Sequence, residues 1–577
     1  MKARCKPMIL VALCLLLGCS SMQSTFSKEL YAYCSRPIPV ETQRIEIPYA
    51  KMYFSDPDLK TLLLRADALQ SRIETEEDAK ALQAELDSLY EAFIHAETMG
   101  TLAYLHYCEN VTDKSAKGLY EMLSADLDRL SEKLTDLSLQ LAKEPALRNR
   151  YDKKTVARLE TEALLYDESA QELFLQEQEL VGRYEAMQAE FTIERDGKQW
   201  TMDALINDET LSFAEWYDLY QSYCCAYAQE AGELFRTLIT VRNGIARQLG
   251  FSSYPAYRYA VYARDYRPEE AQTFSERARD GFSDLFRTLY QSAASDREIL
   301  YLSDRYPESE TMERVGTVVH TILPELSAPW DYLLRNRLYD VSTGELRMPG
   351  SFTTYLPEYG APFLFSSWDD SASMPTVMLH EFGHFAGYYF RTGREDVSGG
   401  ALDLAETDSQ GLELLAMPYY ETLFGRRAEE ARMVRICDAL YAILSGCAMD
   451  AFEQYAYENE TESIEALNAY FEQLCKAYGL EEAGFTASTW TEIGHLYRAP
   501  CYYISYATGA VAALELYQSA MTSPKRAAQQ YRGILLRNGG GTFRDTLRKN
   551  GLTDPMEDDT ITVLSELLST NFVEDKG

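Results

Sequence analysis

The stretch that decides the fold is MPTVMLHEFGHFAGYYF at residues 374–390. Pro375 stands where the first turn of a helix tolerates proline, and no other proline follows in the stretch. On this predicted helix His380 and His384 lie one turn apart on one face, so both imidazoles can reach a single metal ion. Glu381 projects beside them, where a carboxylate can hold a water in the open position of a catalytic metal. The pattern therefore predicts a metal-binding helix that carries its own base.

The alternatives to a metal site are a chance match and a pair of buried core histidines. The chain holds only six histidines, so an accidental HExxH arises on the order of once in a few hundred such sequences. Two core histidines would account for neither the spacing nor the glutamate between them. A metal site accounts for both.

A catalytic zinc usually takes a third protein ligand and keeps one position open. The sequence ALDLAETDSQGLE at residues 401–413 predicts a second helix that folds back on the first after a turn at Gly399-Gly400. Glu406 is the best candidate for the third ligand. Spacing alone leaves three rivals on the same helix, namely Asp403, Asp408 and Glu413.

Residues 1–18 have the features of a lipoprotein signal peptide. A basic start precedes the apolar run at residues 8–17, which is too short to span a bilayer. The ending Leu16-Leu17-Gly18-Cys19 resembles a bacterial lipobox, in which Cys19 becomes the lipidated N-terminus; the alternative is an ordinary cleaved signal. No later stretch has the ~18 uninterrupted apolar residues of a membrane helix. We expect an exported protein, lipid-anchored to the outer face of the bacterial cell membrane or to the periplasmic face.

Beyond this anchor the periodicity predicts a mostly α fold. Residues 19–50 form the lipidated cysteine with a tether and lead-in whose prolines oppose long helices, and residues 51–190 form an N-terminal helical region. One buried helix face there is predicted from apolar residues at spacings of three and four. Its members are Leu119, Met122, Leu123, Leu127, Leu130, Leu134 and Leu137.

Residues 191–577 are predicted to form the catalytic region. Asp196-Gly197, flanked by alternating residues, predicts a hairpin over residues 191–200. Two runs rich in β-formers, at residues 351–355 and 362–366, predict a small β element just before the metal-binding helix. Everything after residue 374 favours helix again.

The charge and the cysteines exclude other classes of protein. Lys and Arg total 55 against 90 Asp and Glu, a formal net charge of -35 that repels nucleic acid. The eight cysteines after Cys19 contain no CxxC pair, which argues against a thiolate zinc site. Their spacing does not assign disulfide partners.

The two motifs together resemble the thimet oligopeptidase and oligoendopeptidase F family of zinc peptidases, whose pattern is HExGH followed by a helix of the form E-x-x-S-x-x-x-E. The resemblance implies one zinc per chain, with Glu406 as the third ligand. It extends, more weakly, over roughly residues 190–570. It implies a large helical ellipsoid with a deep substrate channel that admits short unfolded peptides. One departure is Gly387, where the family commonly continues HExGHxxH; that histidine is not a ligand, so metal binding is expected to survive.

A third patch, WTEIGHLYRAPCYYISYATG at residues 490–509, resembles the family's C-terminal segment, whose histidine and tyrosines face the substrate across the zinc. His495 and a nearby phenol could donate hydrogen bonds to the negative oxygen that forms during attack. With 42 tyrosines in the chain, any one of them more often serves packing. The candidates are Tyr502, Tyr503 and Tyr506, of which Tyr502 best matches the family's spacing from His495.

The expected function is hydrolysis of internal bonds in short unfolded peptides by metal-activated water, with Glu381 as general base. The partners are then peptides, and the membrane through the lipid anchor. One alternative is a lipid-anchored peptide-binding protein or an inactive peptidase homologue, against which the intact Glu381 argues. Another is a carboxypeptidase or dipeptidyl peptidase on the same scaffold, which sequence alone does not separate.

Overall fold

Helices form most of the computed structural model, which confirms the predicted mostly α fold. The structure describes residues 44–573 apart from 74, 76–77, 152, 209, 304, 345, 392–400 and 538–540. The predicted signal peptide, Cys19, most of the tether and the Gly399-Gly400 turn lie outside the described residues. None of the described helices combines the length and the apolar character of a membrane span.

Five helices make up the N-terminal region. They are α1 (Leu59–Ile73), α2 (Ala79–Glu109), α3 (Lys114–Leu141), α4 (Lys153–Ala163) and α5 (Gln171–Glu190). The side chains of Asp78 and Asp113 accept main-chain hydrogen bonds at the starts of α2 and α3 and so cap them. Helices α1 to α4 enclose an apolar cluster of their own beside the main core.

The apolar stripe predicted on α3 is confirmed with one correction. Leu123, Leu130, Leu134 and Leu137 are buried, and Leu119 and Leu127 pack against them at the edge of the cluster. Met122 was wrongly included, since 56% of its surface is exposed. It directly precedes Leu123, and adjacent helical residues point about 100° apart.

The hairpin predicted at residues 191–200 is present. Strands β1 (Ile193–Arg195) and β2 (Lys198–Trp200) pair in antiparallel register, with Arg195 opposite Lys198. Asp196 and Gly197 between them have φ values of 54° and 74°. A two-residue turn that matches the strand twist needs both residues in this left-handed region, which Asp-Gly tolerates.

Helices then continue up to the sheet. They are α6 (Met202–Asn207), α7 (Phe213–Gln248), α8 (Tyr254–Val261), α9 (Pro268–Ser292), α10 (Ala294–Ser303), α11 (Glu308–Ile322) and α12 (Ser327–Asn336). A capping box between Ser212 and Glu215 fixes the start of the long helix α7.

A three-stranded sheet precedes the helix that is predicted to bind the metal. Its strands are β3 (Tyr339–Ser342), β4 (Ser351–Leu356) and β5 (Ala361–Ser367), in the order β3–β5–β4. The antiparallel pair β4 and β5 confirms the predicted β element. Strand β3, parallel to β5, was not predicted, because its short sequence carries no signal for a partner more than twenty residues away.

The remaining helices surround the motif residues. They are α13 (Met374–Arg391), α14 (Ala401–Leu415), α15 (Tyr420–Phe424), α16 (Ala428–Glu458), α17 (Ile464–Tyr478), α18 (Gly494–Arg498), α19 (Ile504–Thr522), α20 (Pro524–Leu535), α21 (Phe543–Lys549) and α22 (Asp558–Phe572). Helix α14 packs against α13 on one side and against α19 on the other, while β4 and β5 pack against α13. This arrangement brings the three predicted motifs together.

Candidate metal centre

Helix α13 carries the two histidines, and its sequence allows α14 to approach unusually closely. Pro375 lies in the first turn, where it removes no intrahelical hydrogen bond. At Gly383 an added Cβ would lie 2.5 Å from the main-chain oxygen of Asp408 and 2.6 Å from the Cα of Ser409. Only glycine leaves room for the α14 backbone there, and this contact sets the distance at which a side chain of α14 meets the histidines.

His380, His384 and Glu406 converge. One ligand atom from each lies within 4.8 Å of the other two, and the two histidine Nε2 atoms are 3.2 Å apart. His384 and Glu406 are buried, whereas 24% of the His380 side chain is exposed. The site is therefore open on one side.

The geometry and chemistry of these donors fit a zinc ion. Two nitrogens that each lie about 2.0–2.1 Å from a tetrahedral zinc are separated by about 3.3–3.4 Å, close to the spacing found here. Burial lowers the pKa of His384 well below its usual value, with the charges of His380 and Arg391 acting in the same direction, so this ligand is neutral and offers a lone pair. Two imidazoles and one carboxylate are a ligand set of catalytic zinc sites.

Glu413 orients His380. Its Oε1 lies 2.7 Å from Nδ1 of His380, and its other oxygen pairs with Arg435. Burial works to lower the pKa of His380, but the hydrogen bond and charge of Glu413 outweigh it and raise this pKa to about 9. A carboxylate on Nδ1 holds the proton there and turns Nε2 toward the metal position.

The other rivals for the third-ligand position have different partners. Asp403 accepts hydrogen bonds from Tyr266 and Thr508, at 2.8 and 2.6 Å. Asp408 accepts from Arg391 and Arg537, at 2.8–2.9 Å. The four acidic residues of α14 therefore have different partners, and Glu406 is the one that belongs to the triad. Their spacing in the sequence does not distinguish them.

The Asp408 cluster also accounts for Gly387. A Cβ at this position would lie 2.7 Å from Oδ2 of Asp408 and 2.9 Å from an Nη atom of Arg391. A larger side chain at this position would have to displace the carboxylate of Asp408 and the guanidinium of Arg391. In this chain two arginines and an aspartate join α13, α14 and the segment that follows α20.

Glu381 is buried and lies against the sheet. The hydroxyl of Thr353 on β4 donates to its Oε2 at 2.9 Å and lies 2.8 Å from its main-chain oxygen. Burial raises the pKa of Glu381 to about 7, although the charge of His380 and the Thr353 hydrogen bond lower it. Sequence analysis missed Thr353, whose only signal was its place in the strand before the motif.

His495 and the three tyrosines form one aromatic cluster. The ring centres of Tyr502, Tyr503 and Tyr506 lie 5.7, 4.8 and 6.0 Å from that of His495. Neither ring nitrogen of the buried His495 has a hydrogen-bond partner within the described part of the chain. Burial, with the charge of Arg498, lowers the pKa of His495 well below its usual value, so the ring is neutral and keeps one N–H to donate.

Tyr502 has a partner that the sequence did not suggest. Its hydroxyl donates to Oε1 of Glu406 at 2.9 Å, so it links the aromatic cluster to the carboxylate of the triad. Burial, and then the charge of Glu406, raises the pKa of Tyr502 well above its usual value, which keeps the phenol protonated as a donor. Tyr503 and Tyr506 are only partly buried.

The other three histidines of the chain lie away from this centre, near acidic side chains. The pairs are His95 with Glu358, His106 with Glu109, and His320 with Asp331. Among the described residues, the triad of His380, His384 and Glu406 is the one group of at least three such side chains with metal-binding geometry.

Comparison with known proteins agrees with this geometry. Residues 333–564 match the profile of Peptidase family M3, a span that contains the triad, Glu381 and the aromatic cluster. No curated protein matches the sequence.

Solved structures share the fold over nearly the whole chain. A protein described as an oligoendopeptidase F has a TM-score of 0.74 at 22% identity, covering 92% of this chain and 100% of its own. A second, from Bacillus anthracis, has a TM-score of 0.72 at 19% identity, covering 91% and 98%. Trypanosoma cruzi metallocarboxypeptidase 1 has a TM-score of 0.58 at 12% identity, covering 85% and 99%.

Proposed function

We propose that this metallopeptidase, whose residues 333–564 match the profile of Peptidase family M3, is a zinc-dependent oligopeptidase that cuts internal bonds of short unfolded peptides. The observation that carries the proposal is the convergence of His380, His384 and Glu406 within 4.8 Å, with Glu381 on the adjoining turn. A binding protein would need the ligands but not an oriented carboxylate beside them.

Zinc, when bound, would supply Lewis acidity that acidifies a water and polarises the scissile carbonyl. The proton transfers are carried out by residues of the chain itself. Glu381 takes a proton from the attacking water and returns it to the departing amine, and a pKa of about 7 suits both transfers near neutral pH. Thr353 keeps the carboxylate in one orientation through its hydrogen bond to Oε2.

The negative oxygen formed during attack needs donors on the other side of the peptide. His495 is neutral and buried, with no hydrogen-bond partner among the described residues, so its N–H is available for that oxygen. The partly buried Tyr503 and Tyr506 lie beside it as phenolic donors. Tyr502 is engaged with Glu406 and orients the third ligand.

Replacement of the base tests this function. Glu381→Gln keeps the size of the side chain and the zinc ligands, so zinc content and peptide binding should persist while turnover falls by about 10²–10⁴-fold. Cleavage of a peptide mixture is followed by mass spectrometry, with zinc measured in the same samples. Unchanged turnover would rule out Glu381 as the base, and a wild-type protein that binds peptides without cleaving them would be a binding protein.

The same assay decides where peptides are cut. The fold likeness to a metallocarboxypeptidase makes an exopeptidase the second candidate. Peptides blocked at both ends should be cleaved internally by an endopeptidase and left intact by a carboxypeptidase or dipeptidyl peptidase. If only peptides with free ends are cleaved, the protein is an exopeptidase and the endopeptidase assignment is wrong.

We also propose that the protein is exported and held at the membrane by a lipid on Cys19. The supporting observations are the lipobox-like sequence and the lack of a membrane-spanning helix among the described residues. Cys19→Ala should move the protein out of the membrane fraction or leave it unprocessed. Membrane retention without lipid on Cys19 would contradict the anchor.

A further inference from the structure

A carboxylate near the metal centre has no assigned role. Glu492 ends a short 3-10 turn, Thr489–Glu492, that leads through Ile493 into α18 and His495. Its side chain is only partly buried, so solvent or a ligand can reach it. Burial nevertheless raises its pKa to about 7, and no hydrogen bond or ion pair joins its carboxylate to any described residue.

This lack of partners distinguishes Glu492 from the acids on α14. Asp403, Asp408 and Glu413 each accept hydrogen bonds, and each also pairs with an arginine. Desolvating an ionised carboxylate without a counter-charge costs free energy, unless a cation from outside the chain binds to it.

The surroundings of Glu492 suit such a cation. The 3-10 turn packs against α7, where Tyr220, Tyr223 and Tyr227 share one helix face. Burial raises the pKa of these tyrosines, and the negative charge of Glu492 adds to that effect, so the carboxylate lies within electrostatic reach of all three. Aromatic faces beside a carboxylate attract ammonium and guanidinium groups.

Glu492 also lies close enough to the catalytic residues to contact the same peptide. It is three residues from His495, which places their Cα atoms at most about 11 Å apart. The ring of His495 lies 5.7 Å from that of Tyr502, whose hydroxyl is 2.9 Å from Glu406. An extended peptide advances about 3.3–3.6 Å per residue, so a peptide of about seven or eight residues is long enough to reach from the triad to Glu492.

We propose that Glu492 and the tyrosines of α7 form a subsite for a cationic group of the peptide substrate, either a Lys or Arg side chain or the N-terminal ammonium. This inference rests on the proposed peptidase function and adds a substrate preference to it. The net charge of -35 is consistent with it, since an acidic protein attracts cationic ligands.

Matched peptides test the subsite. One set replaces Lys by acetyl-lysine, or Arg by citrulline, at successive positions of one sequence, and another compares free with acetylated N-termini. The wild type should cleave the cationic member with a kcat/KM at least about fivefold higher at one position, and Glu492→Gln should bring that ratio near one. Glu276→Gln on the exposed face of α9 makes the same charge change and should keep the wild-type ratio. The two sets separate a side-chain cation from the terminal ammonium.

The outcomes distinguish the subsite from the peptidase function itself. A wild-type ratio near one at every position and at the N-terminus, or an unchanged ratio in Glu492→Gln, overturns the subsite while leaving the peptidase intact. If the wild type cleaves nothing, the proposed function fails. The affinities of Glu381→Gln and Glu381→Gln/Glu492→Gln for the same labelled peptides, compared by fluorescence anisotropy, then decide the subsite independently of turnover.

Discussion

At the scale of single residues, Glu413 fixes the orientation of the His380 ring through its contact with Nδ1. It was a candidate ligand from its spacing, but in the structure it binds Nδ1 of His380 and pairs with Arg435. Its position two turns after Glu406 places it on the same helix face, a signal that the sequence contains. Arg435 carries no such signal, because it reaches the site from α16.

Glu413→Gln should weaken zinc binding without removing a ligand. The amide loses the charge that holds the His380 proton on Nδ1, and changes of this kind cost about 10–100-fold in metal affinity. Competition with a chelator of known affinity measures the zinc Kd. Glu421→Gln, which breaks an ion pair with Arg432 on the surface, is the control and should not change it. An affinity of Glu413→Gln within threefold of wild type would contradict the role given to Glu413.

Tyr502→Phe should act on the metal more than on the chemical step. Its hydroxyl holds Glu406, so its loss should weaken zinc affinity by about tenfold. At saturating zinc the kcat of Tyr502→Phe should stay near that of the wild type. By contrast, Tyr503→Phe or His495→Ala should lower kcat by up to about 10²–10³-fold, if the group that the variant removes donates to the oxyanion. A large loss of kcat in zinc-saturated Tyr502→Phe would show instead that Tyr502 donates the hydrogen bond to the oxyanion.

At the scale of elements, the contact between α13 and α14 positions the triad. Helix periodicity and HExxH predicted both helices, and Asp196-Gly197 predicted the hairpin, because these signals are local. Strand β3 and the Asp408 cluster with Arg391 and Arg537 escaped prediction, since their partners are distant in sequence. The departure at Gly387 was visible in the sequence, but its cause became clear only from the buried ion cluster.

Gly383→Ala should loosen this helix contact. Its Cβ would meet backbone atoms of α14 at 2.5–2.6 Å, and overpacking of this kind costs about 1–3 kcal/mol. Thermal unfolding should show a lower midpoint, and zinc affinity should fall because Glu406 moves with α14. Gly118→Ala on the exposed face of α3 has open space around its Cβ and should be neutral or stabilising by up to about 1 kcal/mol. An unshifted midpoint in Gly383→Ala would show that α14 is not fixed by this contact.

At the scale of the whole molecule, the candidate site depends on parts of the chain that its motifs do not include. The triad comes from α13 and α14, Glu381 accepts a hydrogen bond from Thr353 on β4, and the aromatic cluster comes from α18, α19 and the segment between them. Helix α7, outside the matched region 333–564, contributes the tyrosines of the proposed cation subsite. The proposed functional unit is therefore larger than the segment that matches the profile.

His380, His384 and Glu406 are proposed to hold one zinc ion. Elemental analysis of the purified protein, reconstituted with zinc and then freed of excess metal, measures this directly. We predict about one zinc per wild-type chain, near-complete loss in His380→Ala and Glu406→Gln, and full occupancy in His320→Ala, a surface histidine paired with Asp331. Full zinc content in His380→Ala or Glu406→Gln, or none in the wild type, would contradict the account.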